Sequence, residues 1–230
     1  MEKRLFVVLR KSSIYNENIV CAFRDKLLEK NPDISLYCLH SQDVNPIDGV
    51  KMISFKNSWD HWWSKMELFR PDLDDLRPFL YSDLDNVFLN SCDSLFEILN
   101  DSTFSILHGF IKNKRRKFNS SIMGLNKDES GHFSLLYSKF KDLPKKDPMF
   151  NQDNIKYGFN RYTDQEYIYD NLGLKATYFQ DFLPENSITR YKSFRKLPIK
   201  IELDNMMVVC CTGRRKPWRI KRYPELHWDI

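Results

Sequence analysis

The sequence predicts an α/β fold, a central sheet with helices on both faces. Three observations carry this. Short apolar, β-branched runs alternate with amphipathic stretches of helical spacing, regularly to about residue 110 and more loosely afterwards. The 230 residues are 42% hydrophobic and 29% charged with a net charge of +5, an ordinary globular composition that suits one domain over residues 1–230. The longest wholly apolar runs, Leu5 to Leu9 and Met206 to Cys211, are far too short to cross a bilayer.

Each element has its own signal. Lys3 to Arg10 is charged at its ends and apolar in its middle, a buried strand; with only five apolar residues and no small-residue cleavage site, it is not a leader peptide. From Asn16 to Lys30, Ile19, Val20, Phe23, Leu27 and Leu28 fall at helical spacing, and Asn31-Pro32 ends the helix. Ile34 to His40 and Val50 to Phe55 are the next strands. A helix over Trp62 to Phe69 stops at Pro71. Phe79 to Asp83 is a fourth strand, and Ser91 to Leu99 a helix capped by Ser91 or Asp93. Thr103 to His108 and Ser120 to Leu125 read as strands, Ser130 to Lys141 as a helix. Asp164 to Leu172 is a further helix, with Thr163 and Glu166 spaced as a capping box and Gly173 closing it as a C′ residue. Lys175 to Phe179 and Met206 to Cys211 are late strands.

Several chemistries are excluded. No two of the seven glycines stand at dinucleotide-fingerprint or P-loop spacing, and there is no Gly-x-Ser-x-Gly elbow. The five histidines form no His-Glu-x-x-His. Five cysteines, an odd number without Cys-x-x-Cys, point to reduced thiols in an intracellular protein. Any phosphate bound here must be held by a metal or by basic side chains.

The segment Pro78 to Glu97 is the most informative. Its apolar strand runs into Asp83-Leu84-Asp85, and period two points both carboxylates to one side. Ligands of open α/β sheets collect beyond the carboxyl ends of the strands, where two carboxylates can hold a hard divalent cation that bridges a diphosphate. The bare pattern is uninformative: 21 aspartates give about two Asp-x-Asp pairs by chance, and there are two. Context separates them. Asp72 and Asp74 follow Pro71 in a polar stretch and read as a solvated turn; Asp83 and Asp85 end a buried strand.

Five segments in order, Trp62 to Phe69 (WWSKMELF), Phe79 to Leu89 (FLYSDLDNVFL), Phe118 to Leu125 (FNSSIMGL), Asp164-Gln165 and Val208 to Trp218 (VVCCTGRRKPW), resemble the motifs of GT-A-fold glycosyltransferases. The likeness is to small bacterial and viral members related to glycosyltransferase family eight, and it covers about residues 3–219. It implies a Rossmann-like, mixed central sheet flanked by helices that binds a nucleotide sugar, with a nucleotide-binding half to about residue 110 and an acceptor and sugar half beyond. It implies Mn2+ or Mg2+ on Asp83 and Asp85, the ribose beside Leu84, and the base and ribose over Leu9 and Arg10. Lys65 matches a basic residue that contacts the donor; its plain alternative is a solvated helix position. Asn119 and Ser120 inherit contacts to sugar hydroxyls, although Ser121 replaces the family's glycine. Asp164 and Gln165 match a pair that faces donor sugar and acceptor. Gly213 and Lys216 fall in the motif that reaches the diphosphate, while Thr212 stands where the family has a metal-ligating histidine. Trp62 and Trp63 are stacking surfaces for a sugar or base, or core aromatics.

The expected activity is metal-dependent transfer of a sugar, from a UDP-sugar, to a glycan-type acceptor hydroxyl. Asp164 is the candidate base for inversion, but the resemblance favours retention. The expected setting is the cytoplasm of a bacterium or of a virus-infected host, with peripheral contact to a membrane or glycolipid through basic loops. Two rivals stand beside this reading. One is a haloacid-dehalogenase-like phosphatase with Asp83 as nucleophile, though no strand remains after Thr212 for its acidic pair. The other is nucleic-acid binding through Lys112 to Lys117 and Arg214 to Arg222, which a net charge of +5 supports weakly.

Overall fold

The computed structural model describes residues 2–110, 118–143, 163–194, 205–211, 216–221 and 223–228. A seven-stranded sheet in the order β3-β2-β1-β4-β7-β6-β8 forms its centre. Its strands are β1 (Lys3–Leu9), β2 (Ile34–His40), β3 (Lys51–Ser54), β4 (Phe79–Ser82), β6 (Phe104–His108), β7 (Phe118–Leu125) and β8 (Thr177–Tyr178). The first four are mutually parallel, whereas β7 runs antiparallel to both β4 and β6, so the sheet is mixed as expected. A second, three-stranded sheet pairs β10 (Val208–Cys210) with β5 (Asn86–Phe88) and β9 (Ile188–Arg190). Neither β5 nor β9 was legible as a strand: each is three residues long and, unlike β10, is not set in a long apolar run.

Alternation along β1 explains why the sheet is covered on both faces. Leu5, Val7 and Leu9 pack in one core with Ile19, Val20, Phe23 and Leu27 of helix α1 (Glu17–Lys30). Phe6 points the other way, stacked on Tyr37 at 4.7 Å and against Phe79 at 4.1 Å, in a second core with helices α3 (His132–Lys141) and α4 (Asp164–Leu172). The Asn16 side chain caps α1, and Asn31 at its end accepts from the Cys92 amide at 2.8 Å, joining it to the start of α2 (Asp93–Asn100).

Several boundaries differ from the sequence reading. Residues His61–Phe69 form a 3-10 helix, followed without a loop by another over Pro71–Leu76 that carries Asp72 and Asp74. Cys92, not Ser91 or Asp93, is the N-cap of α2; the Ser91 hydroxyl accepts from the Asp93 amide. Gly173 is not left-handed (φ −62°), and the chain continues as a 3-10 turn. A Cβ there would lie 2.6 Å from the Tyr169 ring, so close approach rather than handedness requires the glycine. The capping box of α4 is present, with both the Thr163 and Glu166 bonds made.

Candidate active site at the ends of β1 and β4

β4 stops at Ser82, one residue earlier than expected. Asp83, Leu84 and Asp85 therefore form a turn, closed by the Asn86 amide donating to the Asp83 carbonyl at 3.2 Å, rather than a strand end. The turn is well supported. The Asp83 amide donates to Ser121 at 2.8 Å, the Asn86 side-chain amide donates to Ser82 and Ser121, and the Cys211 amide donates to the Asp85 carbonyl at 3.2 Å. Period two is thus not what brings the carboxylates together; the turn does, and both line one cleft of about 450 Å³. Arg10 at the end of β1, Trp62, Lys65, Leu84 and Lys216 line the same cleft.

Two lysines hold the two carboxylates. Lys65 Nζ lies 3.0 Å from Asp83 Oδ1 and 3.0 Å from Asp164 Oδ2, and donates to the Ser120 hydroxyl at 3.1 Å. Ser120 in turn donates to Asp164 Oδ2 at 2.7 Å, and the Tyr81 hydroxyl donates to Asp83. Burial works against the charge on Lys65, but Asp164 and Asp83 outweigh it and hold the ammonium above its usual range. Lys65 is thus no solvated helix residue: its side chain is 11% exposed. At the other carboxylate, Lys216 Nζ stands 2.5 Å from Asp85 Oδ2 and 2.5 Å from the Tyr15 hydroxyl. Burial, and then repulsion from Asp83, push the Asp85 carboxyl up to about 6 despite the opposing pull of Lys216.

The remaining expected residues fall as follows. Leu84 is buried in the cleft wall, and Arg10 donates to the Trp59 carbonyl at 2.7 Å and to Asp60 at 2.6 Å, tying the segment before His61 to the end of β1. Leu9 is fully buried in the core and does not line the cleft. Ser120 and Asp164 are buried behind Lys65, and Asn119 and Gln165 are half-buried outside the lining. The Asn119 side chain accepts from the Ser121 amide at 2.9 Å. Thr212, Gly213, Arg214 and Arg215, and the basic run 112–117, lie outside the described residues. The sequence reading missed Tyr15, Tyr81 and His61, all of which line the cleft. An aromatic soon after β1 was the only signal for Tyr15, and the sequence holds 11 tyrosines. Two adjacent costs sit at the lip. His61 is left-handed (φ +51°), and the Trp62 indole Nε1 is buried without an acceptor. Each costs on the order of 1–3 kcal/mol.

The donor set fits a hard divalent cation in part. Asp83 and Asp85 are oxygen donors on a single turn, and the desolvated Asp85 is repelled by its neighbour, a charge imbalance that a cation relieves. Among the described residues no group of three His, Cys, Asp or Glu forms a metal cluster.

A mixed sheet of this order, with an acidic turn beyond a central strand and a cleft above it, is the GT-A fold. Solved structures place the chain beside particular enzymes. It is similar to the glycosyltransferase GlyE of Streptococcus pneumoniae TIGR4 (TM-score 0.61, 16% identity), covering 95% of this chain but 56% of that one. It is similar to the galactosyltransferase LgtC, solved with donor and acceptor sugar analogues (TM-score 0.60, 13% identity, 95% of this chain and 90% of that one). A glycosyltransferase involved in glycosylation of the major capsid of PBCV-1 is a third (TM-score 0.52, 11% identity, 92% and 93%). The chain thus spans just over half the length of GlyE and nearly all of the other two. No protein-family model and no curated protein sequence matches it. At these identities the likeness is one of fold.

Proposed function

We propose that this chain is a metal-dependent glycosyltransferase that moves a sugar from a UDP-sugar to a glycan-type hydroxyl with retention. The observation that carries the reading is the cleft beyond β1 and β4, where Asp83 and Asp85 share one turn and a lysine stands on each. Asp83 and Asp85 would hold Mn2+ or Mg2+, which when bound supplies positive charge to the diphosphate. Lys216, now on Asp85, is the residue to exchange that carboxylate for a phosphate oxygen and stabilise the leaving group. The bond from the anomeric carbon to the phosphate oxygen breaks with its electron pair on that oxygen. The acceptor oxygen then bonds to the anomeric carbon on the vacated face, and its proton passes to the departing phosphate.

Retention is favoured by the state of Asp164. Its carboxylate is buried, ion-paired with Lys65 and hydrogen-bonded by Ser120, so we assign it the orienting of those two groups rather than proton removal. Asn119 and Gln165 are assigned to sugar hydroxyls, Leu84 to the ribose, and Arg10, with Gly213 in the final motif, to the nucleotide. Residues 1–110 then carry the nucleotide side and 111–230 the sugar and acceptor side. We assign its action to the cytoplasm, where nucleotide sugars are at hand. Among the described residues no helix is long and apolar enough to cross a membrane. The phosphatase and nucleic-acid readings gain nothing from the fold likeness.

Calorimetry of UDP and UDP-sugars with and without Mn2+, on the natural protein and on Asp85→Ala, tests the proposal. Mn2+-dependent binding that disappears in the variant is expected. A protein that binds no nucleotide under either condition overturns it.

A further inference from the structure

We infer that Trp62, presented by the left-handed His61 at the lip of the cleft, is a shelf for the pyranose ring of a carbohydrate. The inference rests on the glycosyltransferase reading and names a sugar-binding element within that site. The two neighbouring tryptophans differ in kind. Trp63 is 4% exposed and packs on Phe140 at 5.1 Å and Tyr167 at 6.3 Å, an ordinary core aromatic. Trp62 is half-buried, lines the cleft and meets the His61 ring at 5.9 Å.

Both backbone strain and an unanswered donor are concentrated here. His61 holds a conformation that side chains other than glycine's rarely adopt, and Trp62 Nε1 is a buried N–H with no acceptor. Backbone strain of this kind collects at ligand sites. In a 3-10 helix residues i and i+3 eclipse, so Trp62 sits on the same face as Lys65. That face leads to Lys65 and Asp83, which line the same cleft and carry a donor and an acceptor of the kind sugar hydroxyls need. An indole adds an apolar surface for the C–H face of the ring. The ring can belong to the donor sugar or to the acceptor; the chemistry is the same.

The test is calorimetry on the natural protein, Trp62→Ala and Trp62→Phe, with UDP, with UDP-glucose, UDP-galactose and UDP-N-acetylglucosamine, and with the matching methyl glycosides, all in Mn2+. Removal of the ring in Trp62→Ala should weaken a sugar ligand about tenfold, and Trp62→Phe, which keeps a smaller aromatic face, about threefold. Selective weakening of a UDP-sugar, with UDP itself changed by less than about twofold, assigns the shelf to the donor. Selective weakening of a methyl glycoside assigns it to the acceptor. Equal weakening of UDP and UDP-sugar makes the shelf a nucleobase platform and overturns the inference, as does no change with any ligand. If the natural protein binds no nucleotide, the glycosyltransferase reading fails by itself. Methyl glycoside binding that depends on Trp62 would then still support the shelf, and its absence would refute it.

Discussion

Two Asp-x-Asp pairs stand eleven residues apart in this chain, and they have opposite fates. Asp72 and Asp74 lie on a surface 3-10 helix with side chains 41% and 55% exposed, each paired with an arginine three residues away or fewer. Arg70, and to a lesser degree Lys56, hold the Asp72 carboxyl down at about 2. Asp83 and Asp85 lie on a turn at the sheet, 29% and 11% exposed, and Asp85 is pushed up to about 6. The motif is the same, and burial with mutual repulsion replaces solvation with local pairing. A carboxylate pair becomes a candidate site through what surrounds it. A solvated pair has little to gain from a ligand, whereas a desolvated and repelled pair gains much.

The largest expected effect separates the lysines that serve the two pairs. Lys65→Met leaves Asp83 and Asp164 without their shared cation, and removing one partner of a buried pair costs about 3–5 kcal/mol. At this chain length that lowers Tm by roughly 10 °C. Lys56→Met, at the surface partner of Asp72 2.9 Å away, should change stability by less than about 1 kcal/mol. Thermal unfolding of both variants decides it, and equal values would show that the cleft cluster is as well solvated as the surface one. Next in size is ligand affinity. Asp85→Asn should weaken UDP binding in Mn2+ about 100-fold, and Asp72→Asn should leave it unchanged. Chelation of the metal should weaken UDP for the natural protein and add little to the loss in Asp85→Asn. A chelator effect of the same size in both would move the metal away from Asp85.

How much of this contrast was legible follows from distance along the chain. The buried run Phe79-Leu80-Tyr81 before Asp83 distinguished the two pairs, because burial of a strand is a local property of sequence. The parallel strands β1 to β4 and helix α1 followed from the same local periodicity. The turn at 83–85 did not, since its geometry depends on bonds to Ser121 and Cys211 far along the chain. Lys65 was picked out by resemblance, yet its plain reading as a solvated residue had no local counter-argument: its partners are at 83, 120 and 164. Tyr15 was invisible for the same reason, being joined to the site by Lys216 some two hundred residues away. Trp62 and Trp63 were indistinguishable because a 3-10 helix, unlike the expected α-helix, decides which of the two enters the core.

The smallest effect sharpens the surface side of the comparison. The folded carboxyl of Asp72 lies at about 2, below its ordinary 3.8, so its ion pairs stabilise the fold above about pH 4 and are lost as the pH falls towards 2. Asp72 is more than one-third exposed, and solvent screening holds the contribution to about 0.5 kcal/mol. The natural protein should therefore exceed Asp72→Asn in Tm by a degree or two at pH 6, and the gap should close between pH 4 and pH 2. Measuring the difference between the two proteins cancels the other carboxylates that titrate in the same window. A gap that persisted at pH 2 would mean that Asp72 acts through packing or neutral hydrogen bonds, and its contrast with Asp85 would then not be one of charge.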